Sequence, residues 1–117
     1  MTTARPGHTS SRKRRSKRRE IALVHPGEIL RAEFLEPLEI SQYRLARDTN
    51  VPPRRINEIV KGLRGISADT ALRFGIYFDT TPEFWLSLQN HFDIETLRER
   101  RGEVIARDVK SRAPRAA

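Results

Sequence analysis

Hydrophobic residues recur at intervals of three and four along most of the chain after residue 25, a spacing typical of amphipathic α-helices. The clearest case is the segment PRRINEIVK, in which Ile56, Ile59 and Val60 share one face and are expected to pack against a core. The side chains that point outward from it are polar or charged: Arg54, Arg55, Asn57, Glu58 and Lys61. The pattern predicts a short helix with an apolar inner face and a largely basic outer face.

Another short helix and a tight turn are predicted just before it, in the segment SQYRLARDTNVPP. Ser41 can cap this helix. Asn50 tolerates the left-handed backbone that a sharp turn requires, and Val51 is the apolar residue that fills the corner behind it. Pro53 suits the first position of the following helix, because the residue before a proline avoids helical geometry. Two helices around such a turn predict a helix-turn-helix motif.

The outer face of the second helix of this pair has the chemistry of a DNA reader. Arginine matches the O6/N7 edge of guanine, asparagine can pair with adenine, and lysine suits phosphate as a point charge. The alternative is an ordinary solvated helix in a small bundle. The cap, the turn, the proline start and the basic face occur together at the spacing of the motif, which favours DNA binding.

Further helices are predicted on both sides of this pair, and no segment has a convincing strand pattern. A first helix is expected from Pro26 or Gly27 to Glu36, where Pro37 stops it. A fourth follows a cap at Ser67. Its expected inward face consists of Ala71, Leu72, Gly75 and Ile76. The fold class is therefore all-α.

A fifth helix is predicted after a cap at Thr81, and its apolar residues cover more than one face. They include Phe84, Trp85, Leu86 and Leu88. Trp85 and Leu86 lie about 100° apart on a helical wheel, so both cannot face the same neighbour. These four residues are expected to form the interface of a homodimer; alternatively, the C-terminal segment folds back over them.

The C-terminal segment predicts one more helix. Asp93 can cap it, and an intermittent apolar stripe runs from Ile94 to Val109. This stripe could dock a partner protein, or it could pack on the chain's own fifth helix. The expected organisation is a basic tail at 1–20, a five-helix DNA-binding domain at 21–92 and a helical extension with a frayed end at 93–117.

Composition limits the function classes further. The chain has 117 residues and no cysteine, so we expect a single domain without disulfides or thiolate metal ligands. No apolar run has the length of a membrane span, which predicts a cytoplasmic protein with no membrane contact. His8, His25 and His91 lack the spacing of metal ligands, and no catalytic motif is evident, so we expect neither an enzyme nor a cofactor.

The charge is concentrated at the N-terminus. Residues 1–20 hold eight arginines and lysines and one acidic residue, whereas residues 21–117 hold fifteen basic and fourteen acidic residues. The tail has too few apolar residues to fold and is expected to be disordered; on DNA it would add salt-sensitive affinity. It could instead be a solvating arm, or an artefact of a start codon assigned too far upstream.

From His25 to about Glu99 the chain resembles the HigA/VapI group of antitoxins, within the lambda-repressor-like (XRE/Cro-C1) helix-turn-helix family. The resemblance rests on HPGEILRAEFLEPLEIS, YRLARDTNVPPRRINEIVKGLRGISADTALRF and FDTTPEFWLSLQNHFDIETLRER. The third segment is the most specific, since TPEFWLSLQ following SADTALR is typical of this group. The basic tail is not part of the pattern.

The resemblance implies a homodimer that binds double-stranded, palindromic operator DNA and represses its own operon. It also implies a tight complex with a HigB-type toxin, a RelE-like mRNA endonuclease encoded beside it. It assigns Gln42 and Arg44 to the DNA backbone and assigns the start of the third helix to the bases. The residues on the reading face of that helix are then Pro53, Arg54, Arg55, Asn57, Glu58 and Lys61. A free-standing transcriptional regulator without a toxin is the alternative, and the identity of the neighbouring gene distinguishes the two.

Overall fold

A computed structural model describes residues 23–113 and contains five helices and no strand within that range. The all-α fold predicted from the sequence is therefore confirmed. The helices are α1 (residues 26–38), α2 (Gln42–Thr49), α3 (Pro53–Val60), α4 (Ala68–Phe78) and α5 (Pro82–Asp108). The predicted basic tail at 1–20 and the last four residues of the predicted frayed end lie outside the described residues.

α1 differs from the prediction because Pro37 does not stop it. Its middle, Leu30–Leu35, is π-helical, and the N–H of Glu36 donates to the carbonyl of Arg31 five residues earlier. This wider turn accommodates a proline that has no N–H for the regular helical bond. The helix ends at Leu38, two residues later than predicted, and the following Glu39 caps it with a left-handed φ of 57°.

The start of α1 is packed directly against α3. The Nδ1 atom of His25 accepts a hydrogen bond from the N–H of Gly27 at 2.9 Å, so His25 caps the helix. A Cβ atom on Gly27 would lie 1.8 Å from the carbonyl oxygen of Ile59. Only glycine permits this approach, which holds the end of α3 against the core.

The core is formed by one side chain or more from each helix, with Trp85 of α5 and Phe74 of α4 at its centre. Their ring centroids are 5.3 Å apart in an edge-to-face arrangement. The predicted inward face of α4 was wrong in part: Leu72 and Ile76 are 55% and 85% exposed. The helix is rotated so that the larger ring of Phe74 is buried, together with Thr70, Ala71 and Gly75.

α5 is a single helix of 27 residues, about 40 Å long, where the sequence predicted two. Asp93 does not cap a new helix; its side chain accepts a hydrogen bond from Gln89 at 2.9 Å. The oxygen of the same Gln89 side chain accepts the N–H of Ile66 at 2.8 Å, which ties the loop after α3 to α5. Because the helix continues to Asp108, the C-terminal segment does not fold back over its first half.

Candidate nucleic-acid interface

The turn between α2 and α3 has the geometry that the sequence predicts. The Oγ atom of Ser41 accepts the N–H of Arg44 at 3.0 Å and caps α2. Asn50 adopts a left-handed conformation with φ 56° and ψ 45°. Val51 is buried behind it, and α3 begins at Pro53. These four predictions are confirmed, and together they fix the direction in which α3 leaves the turn.

The side chains of α3 divide into two faces. Ile56 and Ile59 are fully buried, which anchors the inner face. We define the outer face of α3 as the side chains that lie opposite them: Arg54, Asn57, Glu58 and Lys61. Arg54 has 89% of its side chain exposed. The outer face is therefore held on a rigid element while its cations remain accessible to a partner.

The carboxylate of Glu58, on this face, pairs with two arginines. Glu58 pairs with Arg54 at 3.2 Å on one oxygen and with Arg64 at 2.8 Å on the other. The hydrogen bond from Arg64, followed by the charge of that residue and the contact with Arg54, holds the pKa of Glu58 below its usual value. Glu58 is consequently charged at neutral pH.

Arg64 was absent from the sequence prediction because it lies beyond the end of α3. Gly62 has a left-handed φ of 78° and turns the chain back. The N–H of Gly62 donates to the backbone carbonyl of Ile59 at 3.0 Å, and the N–H of Leu63 donates to the backbone carbonyl of Glu58 at 2.8 Å. These two bonds form a Schellman motif, which brings the residue after Leu63 beside the helix. Gly62 is the one feature of the sequence that could have indicated this turn, because glycine is the residue favoured at the end of a helix.

Gln42 of α2, which is predicted to contact the DNA backbone, forms a hydrogen bond with the outer face of α3. The Nδ2 atom of Asn57 donates to the Oε1 atom of Gln42 at 3.3 Å. Both side chains are half-buried, so this contact lies in the seam between the two helices. It limits the freedom of Asn57 and sets its amide beside the start of α2.

Arg44 and Arg55 do not join the cluster around Glu58. Arg44 pairs at 3.4 Å with Asp48, which also accepts a hydrogen bond from the hydroxyl of Tyr77 on α4 at 2.9 Å. The hydrogen bond from Tyr77 is the largest cause of the lowered pKa of Asp48. Arg55 lies towards the other flank of α3, where its charge adds to the effect of Arg73 in lowering the pKa of Asp69.

The four residues predicted for a subunit interface occupy different environments. Trp85 is 0% exposed, and its Nε1 atom donates to Thr80 at 2.8 Å. It therefore fills its own subunit's core and offers no surface to another chain, contrary to the prediction. Phe84 is 37% exposed, whereas Leu86 and Leu88 are half-buried. Phe84 and Leu88 line a shallow apolar groove with Val24, Ile29 and His91.

Residues 23–113 offer neither a metal site nor a membrane-spanning helix. No group of three or more histidine, aspartate or glutamate side chains there could hold a metal ion. None of the helices in that range has the length and apolarity to cross a membrane.

Two short helices at a left-handed turn, with an exposed cationic face on the second, define a helix-turn-helix domain of the DNA-binding class. Residues 32–85 match the family model described as helix-turn-helix. The chain belongs to this family, in the group that contains VapI and the HigA antitoxins.

The similarity extends well beyond the helix pair. Virulence-associated protein I of Dichelobacter nodosus is 49% identical over 76 residues, which cover 65% of this chain and 70% of that protein. Antitoxin HigA of Pseudomonas aeruginosa, solved with the higBA promoter, is 43% identical with a TM-score of 0.74, over 78% of this chain and 99% of that one. Antitoxin GraA, solved in complex with its operator, is 44% identical with a TM-score of 0.74, over 78% and 92% of the two chains.

Proposed function

We propose that this protein is a HigA-like antitoxin that binds a palindromic operator as a dimer, represses its own operon and neutralises a RelE/HigB-like mRNA endonuclease. The observation that supports the DNA-binding role most directly is the outer face of α3, with Arg54 extended into solvent from a helix anchored by the core. The antitoxins HigA and GraA, which share this fold, were solved on promoter and operator DNA.

The proposed contacts follow from position on the helix pair. Pro53 and Arg54 lie at the N-terminal end of α3, the end that reaches base edges in helix-turn-helix proteins. Arg54 suits guanine, and Asn57 and Glu58 lie one turn further along. Lys61 and Gln42 suit phosphate, with Arg44 and Arg55 as flanking cations on either side. Pro52 at the N-cap has no side-chain hydroxyl to offer a phosphate.

The proposed dimer uses the exposed side of the first half of α5. Phe84 is exposed there, and the half-buried Leu88 lies one turn further along the same side. Leu86, also half-buried, lies about 200° around the helix from Phe84 and packs against the core. An isologous contact through this surface relates the two copies of α3 by a two-fold axis, and binding in successive major grooves requires them to lie about 34 Å apart. A palindromic site is the DNA counterpart of this symmetry.

The second half of α5 supports the toxin-binding role. Five apolar side chains in this half and at the C-cap that follows it are exposed and lie along one side: Ile94, Leu97, Val104, Ile105 and Val109. A DNA reader does not need them, and exposing them to water is unfavourable unless a partner covers them. An amphipathic helix can present such a stripe to a groove on another protein.

Co-expression with the adjacent gene tests the whole proposal. If that gene encodes a RelE-like ribonuclease, its expression alone should stop growth, and this chain should restore growth and co-elute with it in size-exclusion chromatography. Arg54→Ala should still restore growth, because it alters only the proposed DNA contact. A harmless neighbour, or two proteins that never co-elute, would instead favour a free-standing regulator.

A further inference from the structure

Glu58 is an acidic residue in the middle of a surface proposed to bind a polyanion. Its two oxygens hold guanidinium groups from different elements, Arg54 on α3 and Arg64 in the loop after it. Only 24% of the Glu58 side chain is exposed, against 89% for Arg54. The carboxylate therefore lies close to the helix, beneath the two cations that it pairs.

We propose that Glu58 is a specificity-determining positioning residue, which keeps Arg54 and Arg64 from binding phosphate indiscriminately and releases them to the correct base sequence. The inference rests on the proposed function, since it concerns the same DNA-binding surface. It also adds Arg64 to the residues that face the operator.

The reason is that phosphate is the same at every position of a duplex. Two unpaired arginines would bind any DNA, with affinity that depends on salt and not on sequence. Glu58 competes for both guanidinium groups and repels a phosphate that approaches them. A guanine edge accepts two parallel hydrogen bonds from arginine and carries no net charge, so the Glu58 carboxylate does not repel it. A phosphate can also accept two hydrogen bonds from arginine, but its negative charge is repelled by the nearby carboxylate.

Glu58 itself can gain a partner on the correct sequence. A glutamate released from its arginines can accept a hydrogen bond from the N4 amino group of cytosine. On an unrelated sequence the Glu58 carboxylate faces acceptor atoms or phosphates, and no hydrogen bond replaces the ion pairs that it has lost. Glu58 thus weakens binding to unrelated DNA more than binding to the operator, which increases the ratio between the two affinities.

The test compares Glu58→Gln with a charge-matched control, Glu95→Gln. Glu95 also forms an intrahelical ion pair, with Arg98, and has a similar side-chain exposure of 29%, but it lies on α5 away from the outer face of α3. Both substitutions raise the net charge by one. The probes are a duplex from the region upstream of the gene that encodes this chain and a scrambled duplex of the same composition, each titrated over a series of salt concentrations.

We expect Glu58→Gln to bind the scrambled duplex about tenfold more tightly than Glu95→Gln, a change of roughly 1.4 kcal/mol. The slope of log affinity against log salt on that duplex should steepen by about 0.9 for each guanidinium that now contacts a phosphate. Affinity for the upstream duplex should rise less, so the ratio of the two affinities falls. In an Arg64→Gln background the effect of Glu58→Gln should shrink, because one of the cations it restrains is absent.

Equal affinity ratios and salt slopes for the two glutamine variants would overturn the inference. Equal losses on both duplexes, with a lowered melting temperature, would also overturn it, because Glu58 would then have only a structural role. If the wild-type chain does not discriminate between the duplexes at all, the proposed operator binding fails and the inference fails with it.

Discussion

Arg54 and Arg55 are neighbours in sequence, yet their side chains leave α3 in different directions. Arg54 is 89% exposed on the outer face, whereas Arg55 is half-buried towards the first turn of α4. We therefore expect Arg54→Ala to weaken operator binding by about 1–3 kcal/mol and to affect random DNA much less. Electrophoretic mobility shifts on both DNAs measure the two losses.

Arg55→Ala is the matched comparison for this prediction, since it removes the same side chain one position along the helix. We expect its effect on the ratio between operator and random DNA to be smaller than that of Arg54→Ala. Equal losses of Arg54→Ala on operator and random DNA would contradict the assignment of Arg54 to base recognition.

Substituting alanine for glycine should change the stability of the fold in opposite directions at Gly27 and Gly102. At Gly27 a Cβ would lie 1.8 Å from the backbone oxygen of Ile59, so Gly27→Ala should destabilise the fold by about 3 kcal/mol as α1 is pushed from α3. At Gly102 a Cβ meets only the flexible side chain of Arg98, at 3.3 Å. Gly102→Ala should stabilise the helix by about 0.5–1 kcal/mol. Urea unfolding of both variants measures the free energies, and comparable values for the two would contradict the close approach at Gly27.

Residues that act locally were the most predictable from sequence. Ser41, Ser67 and Thr81 each cap the following helix through a side-chain oxygen, as their positions before helical patterns indicated. The contacts of Arg64 with Glu58, and of Tyr77 with Asp48 29 residues earlier, were not predicted. They depend on the path of the chain after Gly62 and on the packing of α4, which no local pattern specifies.

At the scale of elements, the helices were predicted more reliably than their ends and orientations. Pro37 was predicted to end a helix and Asp93 to start one, and neither does. A π-helical turn accommodates Pro37, and the side chain of Asp93 accepts a hydrogen bond from Gln89 within the helix. Gly102 costs the helix only about 1 kcal/mol, which a helix of 27 residues can tolerate. In α4 apolar residues lie on two sides of the helix, one with Leu72 and Ile76 and one with Phe74. The side with Phe74 is buried because this ring packs against Trp85.

The continuity of α5 leads to a prediction about the toxin. Leu97 lies on the exposed apolar stripe, so Leu97→Glu should abolish co-elution with the toxin while operator affinity and melting temperature stay near those of the wild type. Arg107→Gln changes the net charge by the same amount at a position outside the stripe, about 80° from Leu97 on the helical wheel, and should leave the complex intact. Loss of co-elution in both variants, or in neither, would argue against docking through the stripe.

At the scale of the whole molecule, dimerisation is the first property that the proposed function requires. Phe84 is 37% exposed on α5, so Phe84→Glu should give a folded monomer with much weaker operator binding. Ile76→Glu is the control, because Ile76 is an 85% exposed apolar residue on α4, outside the proposed interface. Sedimentation equilibrium at micromolar concentration distinguishes the states. A wild-type chain that is monomeric both free and on DNA would refute the dimer.

The distribution of charge gives the last prediction, for a segment outside the described residues. Residues 1–20 hold eight basic side chains and one acidic one, while the rest of the chain is nearly neutral. If the tail contacts phosphates, each neutralised phosphate contributes about 0.9 to the slope of log affinity against log salt. Deleting residues 1–20 should then flatten the slope by several units on operator and random DNA alike, with the ratio between the two affinities preserved.

A full-length variant with the eight basic residues of the tail replaced by glutamine separates charge from length, and it should behave like the deletion. The tail would then supply affinity that is independent of sequence, while the outer face of α3 supplies the discrimination. A slope unchanged by either variant would mean that the tail does not contact phosphates. In that case α2, α3 and the loop after them would have to provide all of the salt-dependent affinity.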